Sequence, residues 1–265
     1  MDKKIKLCFF DIDGTIYEHR LHDFPHSTQS ALYRLKEKGY RIVIATSRCR
    51  MEMQHTPSFF RKFPFDAIIY DGGAVIEIDH EVVMEKTIDE SDMEQIIQLC
   101  NKKQLYMRYA NYAVDYFNRP FPVELSDIYF QLYLMVPTVK PYVNEKVTNL
   151  LLYADDESMA RLRKTLRASN IVDHQSLYEI TANQVNKATA IEELIRRWGY
   201  TMSEVIAFGD GYNDVEMLKH SGIGVAMGNA CDEAKAVADY VTDSVSCDGI
   251  YKACRHFGLI EEDLQ

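Results

Sequence analysis

One run near the start of the chain, KLCFFDIDGT from Lys6 to Thr15, constrains the fold more than any other. Its first half is short, apolar and without polar alternation, which indicates a buried strand of a parallel sheet that is covered on both faces. The strand pattern stops at two carboxylates, Asp11 and Asp13, followed by a glycine and a hydroxyl. Ligands of open α/β sheets bind just beyond the carboxyl ends of strands, so the two acids mark a candidate site.

Two carboxylates this close repel each other unless a positive charge lies between them. A divalent cation meets that need, and ligands that are all oxygen favour Mg2+. An alternative is a plain Asp-Gly turn in which both acids are only solvated. A calcium loop needs further acids and a glycine at fixed offsets after Asp11, and residues 19–23 do not supply them. The choice between a metal site and a turn depends on the rest of the chain.

The overall composition is that of a globular protein. The chain has 265 residues, of which 47% are hydrophobic and 26% charged, which allows a sizeable core in one large domain or two smaller ones. The formal net charge of -10 argues against non-specific nucleic-acid binding, which needs a basic surface. It does not argue against small anionic substrates, because a local metal ion or lysine outweighs the global charge.

Nothing in the sequence predicts secretion or membrane insertion. Residues 1–5 lack the apolar core of a signal peptide, and no later run is long enough to span a membrane. The six cysteines form no Cys-x-x-Cys pair, which is typical of reduced thiols in a cytosolic protein. We therefore expect a cytoplasmic protein without membrane or nucleic-acid partners, either a monomer or a weak homodimer.

Strand and helix patterns alternate at both ends of the chain. Buried strands are predicted at Arg41–Ala45, 66–70 and 204–208, with helical spacing between such runs. This alternation predicts an α/β fold with a parallel sheet. We assign residues 1–80 and 184–265 to this discontinuous core.

Helix caps are predicted at two places in the core. Ser27-Thr28 precedes a helical pattern that ends at Gly39, and Asp248 precedes the last helical pattern. Side chains of these types accept hydrogen bonds from the first amides of a helix.

The middle block, residues 81–183, differs from the rest of the chain. Its patterns predict an inserted α+β domain, and the change of character begins with a hairpin at 75–86. In order they are a helix at Glu90–Lys103, two aromatic-rich strands within 105–117 that turn near Ala110-Asn111, a proline-bearing section, a strand at 147–153, a helix at 157–168, and short strands near 171–172 and 177–181.

Several predicted strand ends and one helix start carry polar residues. In chain order these are Thr46, Lys187, Asp210, Asn213 and Asp214. Each alone has an ordinary explanation, such as a helix cap, a surface lysine or a turn. Because the carboxyl ends of parallel strands meet at one edge of a sheet, we expect them to join Asp11 and Asp13. Together they supply metal ligands, a nucleophile, a hydroxyl donor and a cation, as phosphoryl transfer requires.

The sequence resembles the haloacid dehalogenase-like phosphohydrolases. Four motifs carry the resemblance in order: Asp11-x-Asp13-Gly14-Thr15, Thr46, Lys187 and Gly209-Asp210-x-x-Asn213-Asp214. The chain is most similar to the Cof-type branch, in which a large α/β cap is inserted after the third core strand, and the similarity covers essentially the whole chain. It implies an α/β fold with a Rossmann-like, doubly wound parallel sheet core and an inserted α+β cap domain.

The resemblance implies roles for the principal residues. Asp11 would attack phosphorus and form an aspartyl-phosphate. Asp13 would protonate the leaving alkoxide and then deprotonate the hydrolytic water. Mg2+ would be held by the Asp11 carboxylate, the backbone carbonyl of Asp13 and Asp210. Lys187 would neutralise Asp11 and the transferring phosphoryl group.

Further residues bind phosphate or support the site under the same resemblance. Phosphate oxygens would be held by Thr46, Ser47, Lys187 and Asn213. Supporting residues are Asp214, which would orient Lys187 or a metal-bound water, together with Gly14, Thr15 and Arg48. The presence of Asp13 with Asp210 argues against dehalogenation, which needs no second aspartate and no magnesium.

Two positions depart from the pattern of the family. Ser47 stands where the Cof-type branch usually has the glycine of Thr-Gly-Arg, and this restricts the backbone at that turn. Asp71 stands where the family often has the asparagine of Ser-Asn-Gly, and this adds negative charge near the site entrance. Neither departure removes a catalytic group.

Substrate choice is expected to depend on the cap. Candidate lining residues are Arg108, Tyr109, Tyr112 and Tyr116, although half of the aromatics in alternating strands pack within their own sheet. His19 and His22 follow Thr15 on a loop, and we expect them to be solvated rather than catalytic.

The sequence therefore predicts a Mg2+-dependent phosphatase of small phosphorylated metabolites, either sugar phosphates or phosphorylated cofactors. One alternative is a sugar phosphomutase of the same superfamily, which would keep every motif. Another is a non-catalytic regulator that binds a phosphorylated metabolite, although binding alone needs no nucleophile.

Overall fold

A computed structural model describes residues 5–131, 134–174 and 177–261. Its strands, in chain order, are β1 (Leu7–Phe10), β2 (Arg41–Ala45), β3 (Ala67–Tyr70), β4 (Val75–Ile78), β5 (Glu81–Glu85), β6 (Tyr106–Asn111), β7 (Val114–Phe117), β8 (Thr138–Val139), β9 (Asn149–Tyr153), β10 (Ser169–Asp173), β11 (Leu177–Ala182), β12 (Val205–Gly209), β13 (Ile223–Ala226) and β14 (Tyr240–Val241).

The α-helices are α1 (His26–Glu37), α2 (Ser58–Lys62), α3 (Glu90–Lys103), α4 (Val123–Gln131), α5 (Asp156–Thr165), α6 (Lys187–Trp198), α7 (Val215–His220), α8 (Asp232–Val237) and α9 (Gly249–His256). Short 3-10 helices lie at Glu52–His55, Asp71–Gly73, Met202–Glu204, Tyr212–Asp214 and Val245–Cys247. Within the described part of the chain, no helix is long and apolar enough to cross a membrane.

Eight strands form the larger sheet, in the order β14-β13-β12-β1-β2-β3-β4-β5. The pairs from β14 to β3 are parallel, and β4 and β5 add an antiparallel edge. Strand β1 lies between β12 and β2, and its last residue, Phe10, pairs with Phe208 and Ile44. The residues that follow β1, β2 and β12 therefore emerge side by side at one edge of the sheet.

Helices cover both faces of this sheet. Cys8 and Phe10 of β1 pack with helices α1 and α9, whereas Leu7 and Phe9 pack with α6, α7 and α8. Successive side chains of a strand point to opposite faces, so an apolar run without alternation is buried on both sides. The prediction of a doubly wound parallel core is confirmed.

The second sheet has six strands in the order β10-β11-β9-β6-β7-β8. All of its pairs are antiparallel except β7 with β8. Helices α3 and α5 pack on one face, against Tyr109, Leu150 and Ile180. The alternate residues of the same strands point to the opposite face. The prediction of an inserted α+β cap agrees with this architecture.

The domain boundaries 1–80, 81–183 and 184–265 stay a prediction, but β5 pairs with β4 in the larger sheet. The amide of Lys86 donates to Ala74 of the core, whereas the amide of Ile88 donates to Val147 of the cap. We therefore propose that the cap begins after Lys86. A cap that started at residue 81 would separate β5 from its partner β4. The local sequence of a hairpin does not indicate which of two sheets the hairpin joins.

Both predicted side-chain caps were wrong. Helix α1 begins at His26 after Pro25, and the buried hydroxyl of Thr28 has no hydrogen-bond partner among the described residues. Asp248 precedes α9 in a left-handed conformation and makes no capping hydrogen bond with its side chain. Proline at the start of a helix presets the backbone without a side-chain bond, and tertiary packing holds both helices in place.

Three elements of the cap also differ from the prediction. The proline-bearing section contains a helix, α4, that was not predicted. Helix α5 ends at Thr165 instead of Ala168. The hairpin of β6 and β7 turns at Tyr112-Ala113, two residues later than expected.

Candidate active site

Asp11 is the first residue after β1. Its amide donates a hydrogen bond of 3.0 Å to the carbonyl of Phe208, which continues the pairing of β1 with β12 beyond the strand. The residue is 5% exposed. The sheet thus places this carboxylate at its edge, where side chains from neighbouring strands converge.

Lys187 is the first residue of α6. The side chain of Asn186 caps this helix by accepting a 2.9 Å hydrogen bond from the amide of Thr189. The Lys187 ammonium lies 2.5 Å from Asp11 Oδ1 and 2.6 Å from Asp214 Oδ1. Burial alone lowers the pKa of Lys187, but the two carboxylates outweigh burial and raise it above its ordinary value. The lysine is therefore a fixed cation.

Asp210 and Asp214 follow β12. Asp214 Oδ2 accepts hydrogen bonds of 2.9 Å from the amides of Asp210 and Gly211, so both of its oxygens are engaged. Asp210 Oδ1 accepts a 2.7 Å hydrogen bond from the hydroxyl of Thr15. Thr15 thus links the loop after β1 to the loop after β12.

Gly14 is required where the loop after β1 approaches Asp210. Its φ is +81°, a conformation that L side chains rarely adopt. A Cβ atom at this position would lie 2.3 Å from Asp210 Oδ2. The glycine therefore lets the two acidic loops come together.

One carboxylate oxygen each from Asp11, Asp210 and Asp214 lies within 4.8 Å of the other two. Burial, followed by repulsion from Asp214, raises the pKa of Asp210 to about 7. Burial is also the largest cause of the raised pKa of Asp11, which Lys187 only partly offsets. Three carboxylates share one ammonium, so the cluster has an excess of negative charge.

Asp13 is bound by two basic side chains. Arg48 donates hydrogen bonds of 2.8 Å to Asp13 Oδ2 and 2.5 Å to Oδ1. His19 Nε2 lies 3.3 Å from Oδ1. Burial raises the pKa of Asp13, but the charge and hydrogen bonds of Arg48 outweigh it, and the net shift is downward. Asp13 is therefore ionised in this arrangement.

Thr46, Ser47 and Asn213 lie on adjoining loops. The hydroxyl of Thr46 is buried and accepts a 3.0 Å hydrogen bond from the amide of Arg48. Ser47 Oγ accepts a 2.7 Å hydrogen bond from Asn213 Nδ2 and also donates to Glu179 of the cap. The serine that replaces the family's usual glycine therefore connects the fourth motif to the cap.

All the predicted site residues come together at this edge, although their roles stay predictions. Two neighbours were missed. His19, expected to be solvated, faces Asp13. Asn229 after β13 donates to the carbonyl of Gly14 at 2.8 Å. The position of Asn229 after a strand could have indicated that it lies at the site. The sequence around His19 contains no comparable indication.

The four cap candidates occupy different environments. Tyr109 packs inside the cap, with ring centroids 5.6 Å from those of Tyr116 and Tyr142. Tyr112 donates a 2.6 Å hydrogen bond to Glu77 of β4 in the core. Only Arg108 of the four lines a cavity beside Asp13. Strand alternation explains the result, because Arg108 and Tyr109 point to opposite faces of the cap sheet.

Arg108 joins the cap to the core. It is 1% exposed and donates hydrogen bonds to Asp115 Oδ1 at 2.6 Å, to Glu52 Oε2 at 2.8 Å and to Asn149 Oδ1 at 3.2 Å. Asn149 in turn donates to Glu179 at 2.7 Å. Of these partners only Glu52 belongs to the core. None of them was predicted, because neither Glu52 nor the polar residues of the cap strands belong to a sequence motif.

Two cavities meet at Asp13 and His19. The core-side cavity, of about 360 Å³, also contacts Arg20, Asp210 and Asn229. The cap-side cavity, of about 230 Å³, is lined by Asp13, His19, Ser47, Arg48, Glu52, Arg108, Leu134 and Leu151. A larger cavity of about 640 Å³ lies beside α2 and β3 and is lined by none of the predicted site residues.

A family model settles which proteins this chain is related to. The model of the haloacid dehalogenase-like hydrolases matches residues 8–254. The chain belongs to this family. The predictions of the family, the fold class and an enzyme of the phosphatase type are confirmed.

Relatives of this hydrolase match along nearly their whole length. The 5-amino-6-(5-phospho-D-ribitylamino)uracil phosphatase YcsE of Bacillus subtilis is 29% identical over 260 residues, which cover 97% of this chain and 98% of the relative. The HMP-PP phosphatase of Klebsiella pneumoniae is 28% identical over 263 residues, 95% of this chain and 94% of the relative. The HAD subclass IIB sugar phosphatase BT4131 is 31% identical, with a TM-score of 0.90 and coverage of 96% of this chain and 100% of that structure.

Proposed function

We propose that this hydrolase is a Mg2+-dependent phosphatase of small phosphorylated metabolites, such as sugar phosphates or phosphorylated cofactors, and that Asp11 forms an aspartyl-phosphate. One observation carries the proposal. One carboxylate oxygen each from Asp11, Asp210 and Asp214 lies within 4.8 Å of the other two, and the Lys187 ammonium is hydrogen-bonded to two of the three carboxylates. A protein that only binds a phosphate needs no such buried acids.

The donor set fits a divalent cation, which phosphatases of this family generally use. The acidic cluster offers only oxygen, and burial, followed by repulsion from Asp214, raises the pKa of Asp210 to about 7. Mg2+ would be held by the Asp11 carboxylate, the Asp13 carbonyl and Asp210, because Asp214 already uses both of its oxygens. When bound, the ion supplies positive charge to the transferring phosphoryl group.

Different residues have different roles in the proposed reaction. Asp11 attacks phosphorus, which splits one displacement into two easier steps. Lys187, held by Asp214, keeps the Asp11 carboxylate in place and adds positive charge beside the phosphoryl group. The hydroxyl of Thr46 and the amide of Asn213 lie on loops where they would orient phosphate oxygens.

Asp13 serves as acid and then as base. The form that Arg48 and His19 stabilise is the carboxylate, which accepts a proton from the hydrolytic water. To protonate the leaving oxygen first, Asp13 must carry a proton, and Arg48 must then release one carboxylate oxygen. Arg48 thereby controls which of the two states is favoured.

The proposal is tested by Asp11→Asn and Asp13→Asn. We expect each substitution to lower Mg2+-dependent phosphate release from sugar phosphates by about a thousandfold or more, because the nucleophile or the acid/base is lost. The measurement is steady-state release of inorganic phosphate by the purified proteins, with and without Mg2+. Circular dichroism checks that each variant stays folded.

Asp232→Asn is the matched control, because Asp232 is exposed at the start of α8. It should keep the activity of the unsubstituted enzyme. Near-normal turnover by Asp11→Asn would disprove the covalent mechanism. Product analysis separates the phosphomutase alternative, since isomerised sugar phosphate without free phosphate would show transfer instead of hydrolysis.

A further inference from the structure

The cap-side cavity lies where a leaving group belongs under the proposed function. In phosphoryl transfer the attacking and leaving oxygens are roughly in line on opposite sides of phosphorus. With Asp11 attacking and Asp13 as the acid, the leaving oxygen departs beside Asp13, which lines both cavities, and only the core-side one also contacts the proposed metal ligand Asp210. The other wall of the cap-side cavity is the cap, through Arg108, Leu134 and Leu151. The volume of about 230 Å³ suits a small leaving group.

Both arginines of this cavity are already paired with carboxylates of the protein. Arg48 is bonded through two nitrogens to the two oxygens of Asp13. Arg108 is bonded to Glu52 at 2.8 Å and to Asp115 at 2.6 Å. The side chains of Arg108, Glu52 and Asp115 are 1%, 5% and 1% exposed, so solvent screens these pairs little, whereas Asp13 is 36% exposed beside the buried Arg48. The two cations therefore face three carboxylates, and no positive charge is left over.

Other basic groups do not change this balance. Lys187 is held by Asp11 and Asp214, and His19 faces Asp13 at 3.3 Å. Arg20 lines the core-side cavity. Among residues 5–131, 134–174 and 177–261, no lysine or further arginine lines the cap-side cavity. The cap residues outside those ranges, at 132–133 and 175–176, are leucine, tyrosine, glutamine and serine, which carry no charge.

We infer that the enzyme selects phosphate monoesters whose leaving group is a small uncharged alcohol and rejects those with a second phosphate or a carboxylate in the cap-side cavity. A second anion there would lose its hydration without gaining a cation as partner. An uncharged polyol instead has suitable partners. Its hydroxyls meet the carboxylate of Glu52 and the hydroxyl of Ser47, and its carbon face meets Leu134 and Leu151.

This inference rests on the proposed function and narrows it. It favours sugar and polyol monophosphates over phosphorylated cofactors that carry another anionic group. It also disfavours the phosphomutase alternative, because a mutase must retain a bisphosphate, and the second phosphate of that intermediate would lie in the cap-side cavity.

The test compares matched substrates that differ by one anionic group. The pairs are glucose 6-phosphate with glucose 1,6-bisphosphate, and glycerol 3-phosphate with 3-phosphoglycerate. We expect kcat/KM with Mg2+ to favour the uncharged leaving group by about tenfold or more in each pair. Calorimetric binding of the same compounds to Asp11→Asn should show the same preference without turnover.

Glu52→Gln tests the cause. The substitution keeps the shape of the side chain and removes one of the two carboxylates that neutralise Arg108. We expect the preference for the uncharged member of each pair to shrink by about tenfold in this variant. Glu94→Gln on the exposed side of α3 removes the same charge away from the site, and it should leave the preference unchanged.

The outcomes separate the inference from the proposed function. Loss of all Mg2+-dependent phosphate release would overturn the proposed function, and the binding preference of Asp11→Asn would still decide the inference. Equal kcat/KM within each pair, or equal binding by Asp11→Asn, would overturn the inference alone. If Glu52→Gln fails to fold, the substrate pairs and the binding measurement still give the decision.

Discussion

Asp71, which follows β3, shows how one residue connects the two sheets. It has a φ of 55° and no exposed surface. Its Oδ2 accepts a 2.7 Å hydrogen bond from Thr148 of the cap, whereas Oδ1 has no partner among the described residues. Burial is the largest cause that raises the pKa of Asp71 to about 7. An aspartate here is thus poorly satisfied when ionised.

Asp71→Asn tests this electrostatic strain. The carboxyl group has a pKa of about 7 in the folded state and about 4 in the unfolded state, so the folded state keeps its proton up to a higher pH. The free energy of unfolding therefore falls as the pH rises from about 4 to about 7. The amide removes this dependence and can still accept from Thr148. As the pH rises from 5 to 8, we expect the unfolding free energy of the variant to increase by on the order of 2 kcal/mol relative to that of the parent.

Urea unfolding at pH 5 and pH 8 measures the effect. Asp232→Asn, at an exposed site, is the control, and any change it makes in the unfolding free energy should be the same at both pH values. A difference between the parent and Asp71→Asn that is the same at pH 5 and pH 8 would contradict the assignment.

At the scale of elements, helix α6 positions the cation of the site. Lys187 occupies its first turn, and the capping box of Asn186 and Thr189 sets where that turn begins. The buried side includes Ile191, Leu194 and Ile195, which pack against the larger sheet. The capping box and this apolar face together determine the direction of the lysine side chain. The stability of the helix and the geometry of the site are therefore coupled.

Asn186→Ala should therefore affect both stability and activity. Loss of an N-cap costs about 1 kcal/mol of unfolding free energy. We expect kcat to fall by about tenfold in addition, because Lys187 is displaced from Asp11. Denaturant unfolding and steady-state kinetics measure the two effects.

Asp89→Ala is the matched control for this prediction. Asp89 caps α3 by accepting a 2.9 Å hydrogen bond from the amide of Ser91, in the cap and away from Asp11. It should cost a similar unfolding free energy while kcat stays unchanged. An equal change of kcat in both variants would show that general stability, and not the position of Lys187, controls the rate.

At the scale of the whole molecule, buried polar contacts join the cap to the core. Arg108 of β6 reaches Glu52 of the core, and Tyr112 reaches Glu77. The side of the cap sheet that faces the core carries polar residues such as Asp115 beside apolar residues such as Phe117, whereas the side that faces α3 and α5 is apolar. Buried polar contacts therefore contribute to the alignment of the two sheets around the site.

Arg108→Met tests how far this pairing holds the molecule together. Without the guanidinium, Glu52 and Asp115 are left buried without a cation, and we expect unfolding free energy to fall by about 3–5 kcal/mol. Adding Glu52→Gln should recover part of that loss, because one unpaired charge is removed. Denaturant unfolding of both single variants and the double variant gives the coupling. Strictly additive losses would contradict a direct interaction.

Much of the fold could be predicted from local patterns. The bounds of α3 and β2 agree with the sequence analysis, because apolar spacing of 3.6 or a short apolar run leaves little choice there. Helix α4 was missed because the prolines on either side of it, Pro120, Pro122 and Pro137, concealed the helical segment between them. The cap of α1 was misassigned because Pro25 and tertiary packing determine where that helix begins.

The sequence by itself determined the acidic edge of the larger sheet. Strands that run parallel must bring their carboxyl ends together, so motifs as distant as Asp11 and Asp210 become neighbours. Only the tertiary structure decided which carboxylate each arginine binds and which cap residues face the cavity. Those contacts depend on how the two sheets are placed relative to each other. That placement results from packing and charge pairing over the whole molecule, and no local pattern in the chain encodes it.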